Sequence, residues 1–335
     1  MNKLPHIIMP VPDKLVVRQI ALEIYGGCNY KCPMCPQTDG READFLKRMP
    51  FEVFKKVVDE GKTLGVEVVS LQGSGEPTIH PEMPKFVAYV KSQGLQCISL
   101  TNGFMLTPKL SRELIEAGLD ILRISAIGYD RESYAKWMDK DAYEKVREQV
   151  REFLRIDREL GAKTELTLYH LVMDDTKIDA EVAQYRKNWI EHCGAPGEVW
   201  KMHNWGGQYE DIPYHRSGMT KRSCGRPASP YLTVRAGGLG GHTAAVVPCC
   251  FVLGQDSKAV LGHLDTNTIA EVVAGAPYHD LRDKHAKGDF DSIDYCKNCD
   301  QLYDAPESLV WTNIPGKKYG QSKVLQDLDY RKWTV

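Results

Sequence analysis

From Gln19 to about His203, short apolar runs alternate with longer segments whose apolar residues recur at helical spacing. QIALEIYG, VEVVSLQG, LQCISLTNG, DILRISAIG, KTELTLYHLV and GEVWKMHNW read as strands. Between them, PFEVFKKVVDEGKTLG sets Phe51, Phe54, Val57 and Val58 on one helical face. PEMPKFVAYVKSQG, TPKLSRELIEAG, one long stretch from about Trp137 to Leu160, and DAEVAQYRKNWIEHC predict further helices. Thr107 before Pro108 suits a helix start, and Gly65, Gly94, Gly118 and Gly161 suit helix ends. The alternation predicts parallel α/β architecture with six strand–helix units. Six units are fewer than the eight of a closed barrel, so an open partial barrel and a doubly wound sheet both fit the pattern.

After about Tyr209 the character changes. Glycines and prolines punctuate a region with no long helix; YLTVRAGG and AAVVPCCFV read as two short strands around GGLGG. Short helices are expected near Ile269–Ala274 and His279–Lys287. The expected organisation is an N-terminal segment (1–18), a β/α domain (19–208), a cysteine-rich domain (209–314) and a polar, basic tail (315–335).

Composition narrows the functional classes. With 43 basic against 45 acidic residues the net charge is −2, which gives no reason to expect nucleic acid. The N-terminal apolar runs are broken by Pro5, Pro10, Pro12 and Asp13, unlike a signal peptide, and no stretch approaches the length of a membrane span. A cytoplasmic protein with no membrane partner is expected. In that compartment, clustered cysteines among a total of ten indicate metal binding or catalysis more than disulfides.

GGCNYKCPMCPQ, just after the first strand, supplies Cys28, Cys32 and Cys35. Three thiolates on one short loop can bind three irons of a cubane [4Fe–4S] cluster, leaving the fourth iron open to a small chelating molecule. A structural zinc site would want four closed ligands, and no fourth Cys or His lies nearby. Downstream, Cys224, the adjacent Cys249 and Cys250, and Cys296-Lys297-Asn298-Cys299 add up to four thiolates, which would close a metal site.

The C-x3-C-x2-C loop in this position resembles the cluster motif of the radical S-adenosylmethionine (SAM) superfamily, with Met34 where many members carry an aromatic residue. Gly73-Ser74-Gly75-Glu76-Pro77 resembles the family's Gly-Gly-Glu-Pro segment, with Ser74 replacing a glycine. The resemblance implies that Glu76 and its neighbours meet the SAM amine. It also puts Asn102 at the active-site rim and Ser125 near the SAM carboxylate or ribose, although Ile127 stands where members often carry an acid. It covers about Gln19 to His203 and implies a partial (β/α)6 TIM-like barrel. The second cysteine set is similar to the SPASM/twitch extensions of that superfamily. It implies one auxiliary [4Fe–4S] cluster on Cys224, Cys249, Cys296 and Cys299, with Cys250 as the alternate to Cys249. Zinc on these four thiols is the competing reading, and with it a zinc-stapled β/α binding protein without enzymatic activity.

The expected chemistry follows from that resemblance. A flavodoxin- or ferredoxin-type reductant would drive SAM cleavage to a 5′-deoxyadenosyl radical, which takes hydrogen from substrate. An auxiliary cluster with four protein ligands would accept an electron, as in the butirosin-pathway aminocyclitol dehydrogenase subgroup. A small sugar- or cyclitol-like alcohol is the expected substrate, because only 27 residues precede Cys28 and many peptide-modifying members carry a leader-binding domain there. A peptide-modifying crosslinking or epimerising enzyme is the alternative. His170, His203 and Trp205 fall at strand ends and are the candidate catalytic residues; Trp205 suits stacking on a sugar ring or plugging the barrel mouth. Cys97 and Cys193 read as core residues, with a hydrogen-donor thiol as the less favoured role.

Overall fold

The computed structural model describes residues 16–38, 47–209, 221–252, 259–303 and 309–317. Most of the N-terminal segment, the stretch 210–220 with Pro213 and Gly218, and most of the polar tail lie outside the described residues. Strands β1 (Gln19–Leu22), β2 (Val68–Leu71), β3 (Gln96–Thr101), β4 (Ile121–Ser125), β5 (Glu165–Val172) and β6 (Gly197–Lys201) pair in parallel in the order of the sequence. A doubly wound sheet reverses strand order at a switch point. Among the described residues the six strands show no reversal and β1 does not pair with β6, so the sheet is a partial barrel.

The C-terminal region extends both edges of that barrel. Strand β7 (Tyr231–Ala236) pairs in parallel with β1, and β8 (Ala244–Val247) and β9 (Gly262–His263) follow antiparallel. Strand β10 (Leu309–Thr312) pairs antiparallel with β6, completing a ten-stranded sheet. Edge strands with unpaired backbone groups are thus moved away from the centre of the fold.

Helices α1 (Phe51–Thr63), α2 (Met83–Ser92) and α3 (Pro108–Glu116) pack on the outer face, where Phe54, Phe86 and Leu114 join Val69, Leu122 and Ile124 in the main core. Val68, Ile98 and Ile121, on the alternate positions of β2, β3 and β4, form a separate apolar plug on the inner face. Gly65 and Gly118 end α1 and α3 with φ of 92° and 90°, and the Thr107 hydroxyl accepts from Leu110 N at 3.3 Å.

The long helix expected from Trp137 to Leu160 is two. Helix α4 (Arg131–Met138), opened by an Asp130–Ser133 capping box, stops at Asp139, whose φ of 49° is left-handed and cannot continue a right-handed helix; α5 (Tyr143–Glu159) begins afresh. Helix α6 (Ile178–Tyr185) runs on into a π-helical turn over Arg186–Glu191. Of the two short C-terminal helices, α7 spans Ile269–Ala274, while α8 (Ala276–Lys287) starts earlier than expected, with Pro277 in its first turn. Among the described residues, no helix is long and apolar enough to cross a membrane.

Candidate functional site

The cysteine loop leaves the end of β1 and rests on the loop that follows β2. Glu76 N donates to Gly27 O at 2.8 Å, and a Cβ on Gly75 would stand 2.5 Å from Gly26 C and 2.6 Å from Gly27 O. A Cβ on Gly73 would likewise stand 2.6 Å from Glu23 Cβ. At Gly75 two backbones this close leave room only for glycine, and at Gly73 the Glu23 side chain fills the space. The loop is pinned from its other side by Asn102 Nδ2, which donates to Asn29 Oδ1 at 2.7 Å, and by Lys140 Nζ, which donates to Asn29 O at 2.8 Å.

Glu76 is buried and takes four donors from the protein itself: Thr78 N (3.0 Å), Thr78 Oγ1 (2.5 Å), Thr101 Oγ1 (2.6 Å) and Asn102 N (2.7 Å). Burial raises its pKa, and these donors oppose the rise. Its carboxylate therefore organises the rim, locking the ends of β2 and β3 together beneath the cysteine loop. Ser125 stands half-buried at the end of β4, and Ser74 Oγ is buried without a partner in the same rim.

Cys28, Cys32 and Cys35 feel one another. Burial first, then Glu76 and Cys35, push the Cys28 thiol up to about 12, while burial, Cys35 and Cys28 raise Cys32. The downstream thiols behave alike. Burial is the leading cause for Cys249 (about 12), Cys296 and Cys299, and each is raised further by its neighbours and by Cys224. Cys249 thus stands among Cys224, Cys296 and Cys299. Cys250 acts on its neighbour Cys249 and also on Tyr169 of β5. Thiols crowded together in this way, Cys299 buried, Cys28 exposed and the rest half-buried, resist ionisation unless a metal takes the charge, so the two sets fit groups that bind thiolate. Both sets are all sulfur, the donor chemistry of iron–sulfur clusters. Among the described residues, no three His, Cys, Asp or Glu side chains converge on a single point as around one metal ion.

A buried ion pair joins the two regions. Glu23, directly after β1, accepts from Ser74 N at 2.5 Å and from Ala236 N at 3.1 Å. Arg235 of β7 meets Glu23 at 3.4 Å and donates through Nη2 to Cys250 O (2.9 Å) and Val252 O (3.1 Å). Their side chains are 4% and 3% exposed. One charge pair therefore ties the loop carrying Ser74–Glu76 to the loop carrying Cys249 and Cys250.

The candidate catalytic residues separate. His170 turns outward from β5: its ring stacks on Tyr185 at 4.6 Å, Nδ1 accepts from Gly128 N at 3.1 Å, and Nε2 faces Glu181 at 3.6 Å. It belongs to the packing between sheet and helix α6, because alternation along β5 points His170 away from the lumen that Tyr169 faces. His203 and Trp205 do come together with the second cysteine region. Their rings lie 4.4 Å apart, and Phe251 stands 4.1 Å from His203. Burial, with Arg226 nearby, lowers the His203 pKa to about 3, so its ring is neutral. Asn204 between them donates to Asn298 O (2.7 Å) and accepts from Asp300 N (3.0 Å), stitching this turn to the residues around Cys299. Cys97 and Cys193 lie in the main core, apart from both thiol sets.

Sequence reasoning passed over Glu23 and Arg235, and also an inner-face group formed by Arg123 of β4, Glu198 of β6 and Lys317 beyond β10. Arg123 pairs with Glu198 and stacks on the Tyr169 ring at 3.7 Å, and Lys317 Nζ meets Glu198 at 3.1 Å. The available signal was a charged residue set within or beside an otherwise apolar strand, as in DILRIS, GEVWK and YLTVRA.

Residues 22–182 match the family model described as the Radical SAM superfamily, and residues 241–300 match SPASM, an iron–sulfur cluster-binding domain. Among curated proteins, the chain is 29% identical over 160 residues to a probable GTP 3′,8-cyclase of Methanococcus maripaludis, covering 48% of this chain and 52% of that one. It is 32% identical over 112 residues to a tungsten-containing aldehyde ferredoxin oxidoreductase cofactor-modifying protein of Pyrococcus furiosus, covering 32% of this chain and 30% of that one. The chain thus spans about half the length or less of these relatives. Among solved structures, BtrN in complex with AdoMet and 2-DOIA superposes with a TM-score of 0.57 at 19% identity, over 90% of this chain and 99% of that one. Streptococcus suis SuiB bound to precursor peptide SuiA superposes with a TM-score of 0.62 at 13% identity, over 86% and 71%. Identities this low establish a shared fold.

Proposed function

This chain carries a radical SAM domain joined to a SPASM iron–sulfur domain, and from that premise we propose that it is an oxidoreductase removing hydrogen from a small sugar- or cyclitol-like alcohol. When bound, a cluster with SAM supplies hydrogen abstraction through reductive SAM cleavage, and a second cluster supplies an electron acceptor. The chain's own residues divide the remaining work. Cys28, Cys32 and Cys35 offer three ligands and leave room for one small chelating molecule. Glu76 holds the rim formed by Ser74, Gly75 and Asn102 rigid beneath that position. Cys224, Cys249, Cys296 and Cys299 offer four ligands, a complete set. The neutral rings of His203 and Trp205 keep water from the space between the barrel end and the second cysteine region.

The observation that carries this reading is the Glu23–Arg235 bridge. It builds the two thiol sets into one buried frame, as an enzyme that passes an electron from one end of its site to the other requires. BtrN, in complex with AdoMet and 2-DOIA and superposing over nearly the whole of its length, supports a small-molecule substrate. The test is anaerobic reconstitution followed by metal analysis and product assays. About eight irons per chain are expected if both sites hold cubanes. Cys32→Ala should lose SAM cleavage. Cys299→Ala should keep SAM cleavage while oxidised product per 5′-deoxyadenosine falls. About four irons with one zinc, or an unchanged product ratio in a folded Cys299→Ala, would refute it.

A further inference from the structure

The inner face of β4–β6 holds two cations for one carboxylate. The Arg123 side chain is 10% exposed, that of Lys317 6% and that of Glu198 0%. Both cations reach the same Glu198, and among the described residues the other acid acting on Lys317 is Glu165, at the exposed start of β5. Burial and Arg123 lower Lys317, as two like charges sharing one partner must. One positive charge is left over in a buried place, and such a charge is costly unless a partner arrives.

Arg123 Nε and Trp200 Nε1 are buried N–H donors without acceptors, and the two Glu198 oxygens, each facing a cation as an ion pair, make no hydrogen bond either. Along the strands the two donors bracket Glu198: Ser125 registers with Tyr169 and Tyr169 with Glu198, Arg123 lies one inward layer below on β4, and Trp200, opposite Leu171, one layer above on β6. Buried donors normally find partners, so the orphan Arg123 Nε beside a surplus cation marks a place for an acceptor. The guanidinium is held flat on the Tyr169 ring at 3.7 Å, which fixes the direction of its free edge. A planar cation held in this way recognises carboxylates and phosphates.

We propose that this side of the lumen is an anion-recognition site, in which Arg123 and Lys317 receive a carboxylate or phosphate carried by the substrate. The proposal rests on the reading that the lumen holds substrate, and it narrows the substrate class from a neutral alcohol to an anionic polyol such as a sugar acid or sugar phosphate. Glu198 then serves as the counter-charge that keeps both cations in place before substrate binds.

The test uses the anaerobically reconstituted, SAM-loaded protein and three probes of similar size: glucose 6-phosphate, glucuronate and glucose, titrated by calorimetry. A charge-assisted contact of this kind predicts that at least one anionic probe binds about tenfold or more tightly than glucose. Preference for glucose 6-phosphate alone identifies a phosphate ester, and preference for glucuronate alone a carboxylate. Arg123→Met should bring the preferred anion to the level of glucose, Arg123→Lys should retain part of the preference, and Lys317→Met should weaken it severalfold. Thermal unfolding and iron content of each variant establish that it is folded. No anionic preference in the unaltered protein, including no binding of any probe, overturns the proposal. So does a preference that survives in folded Arg123→Met. Iron content and SAM cleavage of the unaltered protein report separately on the proposed function.

Discussion

Replacing Arg235 with methionine keeps the length of the side chain and removes the charge that faces Glu23. The structure sets the size of the effect. Glu23 is 4% exposed and would stay buried without its cation, a loss that costs about 3–5 kcal/mol when one partner of a buried pair is deleted. Ser74 N and Ala236 N still donate to Glu23, which places the expected loss near the lower end. Cys250 O and Val252 O would also lose their donor, at about 1–3 kcal/mol for each carbonyl left unsatisfied. A fall in Tm of roughly 5–10 °C is therefore expected for a chain of this size. Adding Glu23→Gln should recover part of it, since the uncompensated charge is gone; a coupling of about 1–3 kcal/mol between the two sites is the expected signature. The assay is anaerobic thermal unfolding of the reconstituted protein, with iron content measured in parallel. Iron should be lost preferentially from the second thiol set, because Arg235 holds the backbone at Cys250. An Arg235→Met protein with unchanged Tm and full iron, or a double variant whose losses simply add, would refute the reasoning.

Gly75→Ala should cost about 1–3 kcal/mol and displace the cysteine loop, since its Cβ would meet Gly26 C at 2.5 Å and Gly27 O at 2.6 Å; iron should fall by about half, and full iron would exclude the steric argument. His285, 2% exposed and held with a pKa of about 4 by burial, is neutral in the folded chain and titrates near 6.5 once unfolded. The unfolded chain then binds more protons between these values, so stability should fall as pH drops from about 6.5 to about 4, by at most about 3 kcal/mol. Urea midpoints of the native protein and His285→Phe at several pH values read this out, and equal slopes would remove His285 as the cause.

Strand and helix positions through His203, the helix caps at Thr107 and Gly118, and the thiol loop after the first strand were legible in the sequence, because each depends on neighbours a few residues apart. Alternation along a strand also reveals that His170 and Tyr169 face opposite ways, but which of them faces the lumen depends on the helix packed outside. Only the folded chain shows His170 against Tyr185. The break at Asp139 has no signature in the apolar spacing, which continues across it, and shows only in the left-handed backbone of the folded chain. Strand β10 carries the bare LVWT; its partner β6 lies more than a hundred residues earlier in the chain, and pairing at that distance has no local signature. The same holds for charge. Glu23, Arg123, Glu198, Arg235 and Lys317 read singly as charges interrupting or following apolar strands, and only tertiary contact turns two of them into a bridge between thiol sets and three into a group with one cation to spare. Local chemistry is written in spacing, whereas the pairing of buried charges depends on which strands the fold makes neighbours.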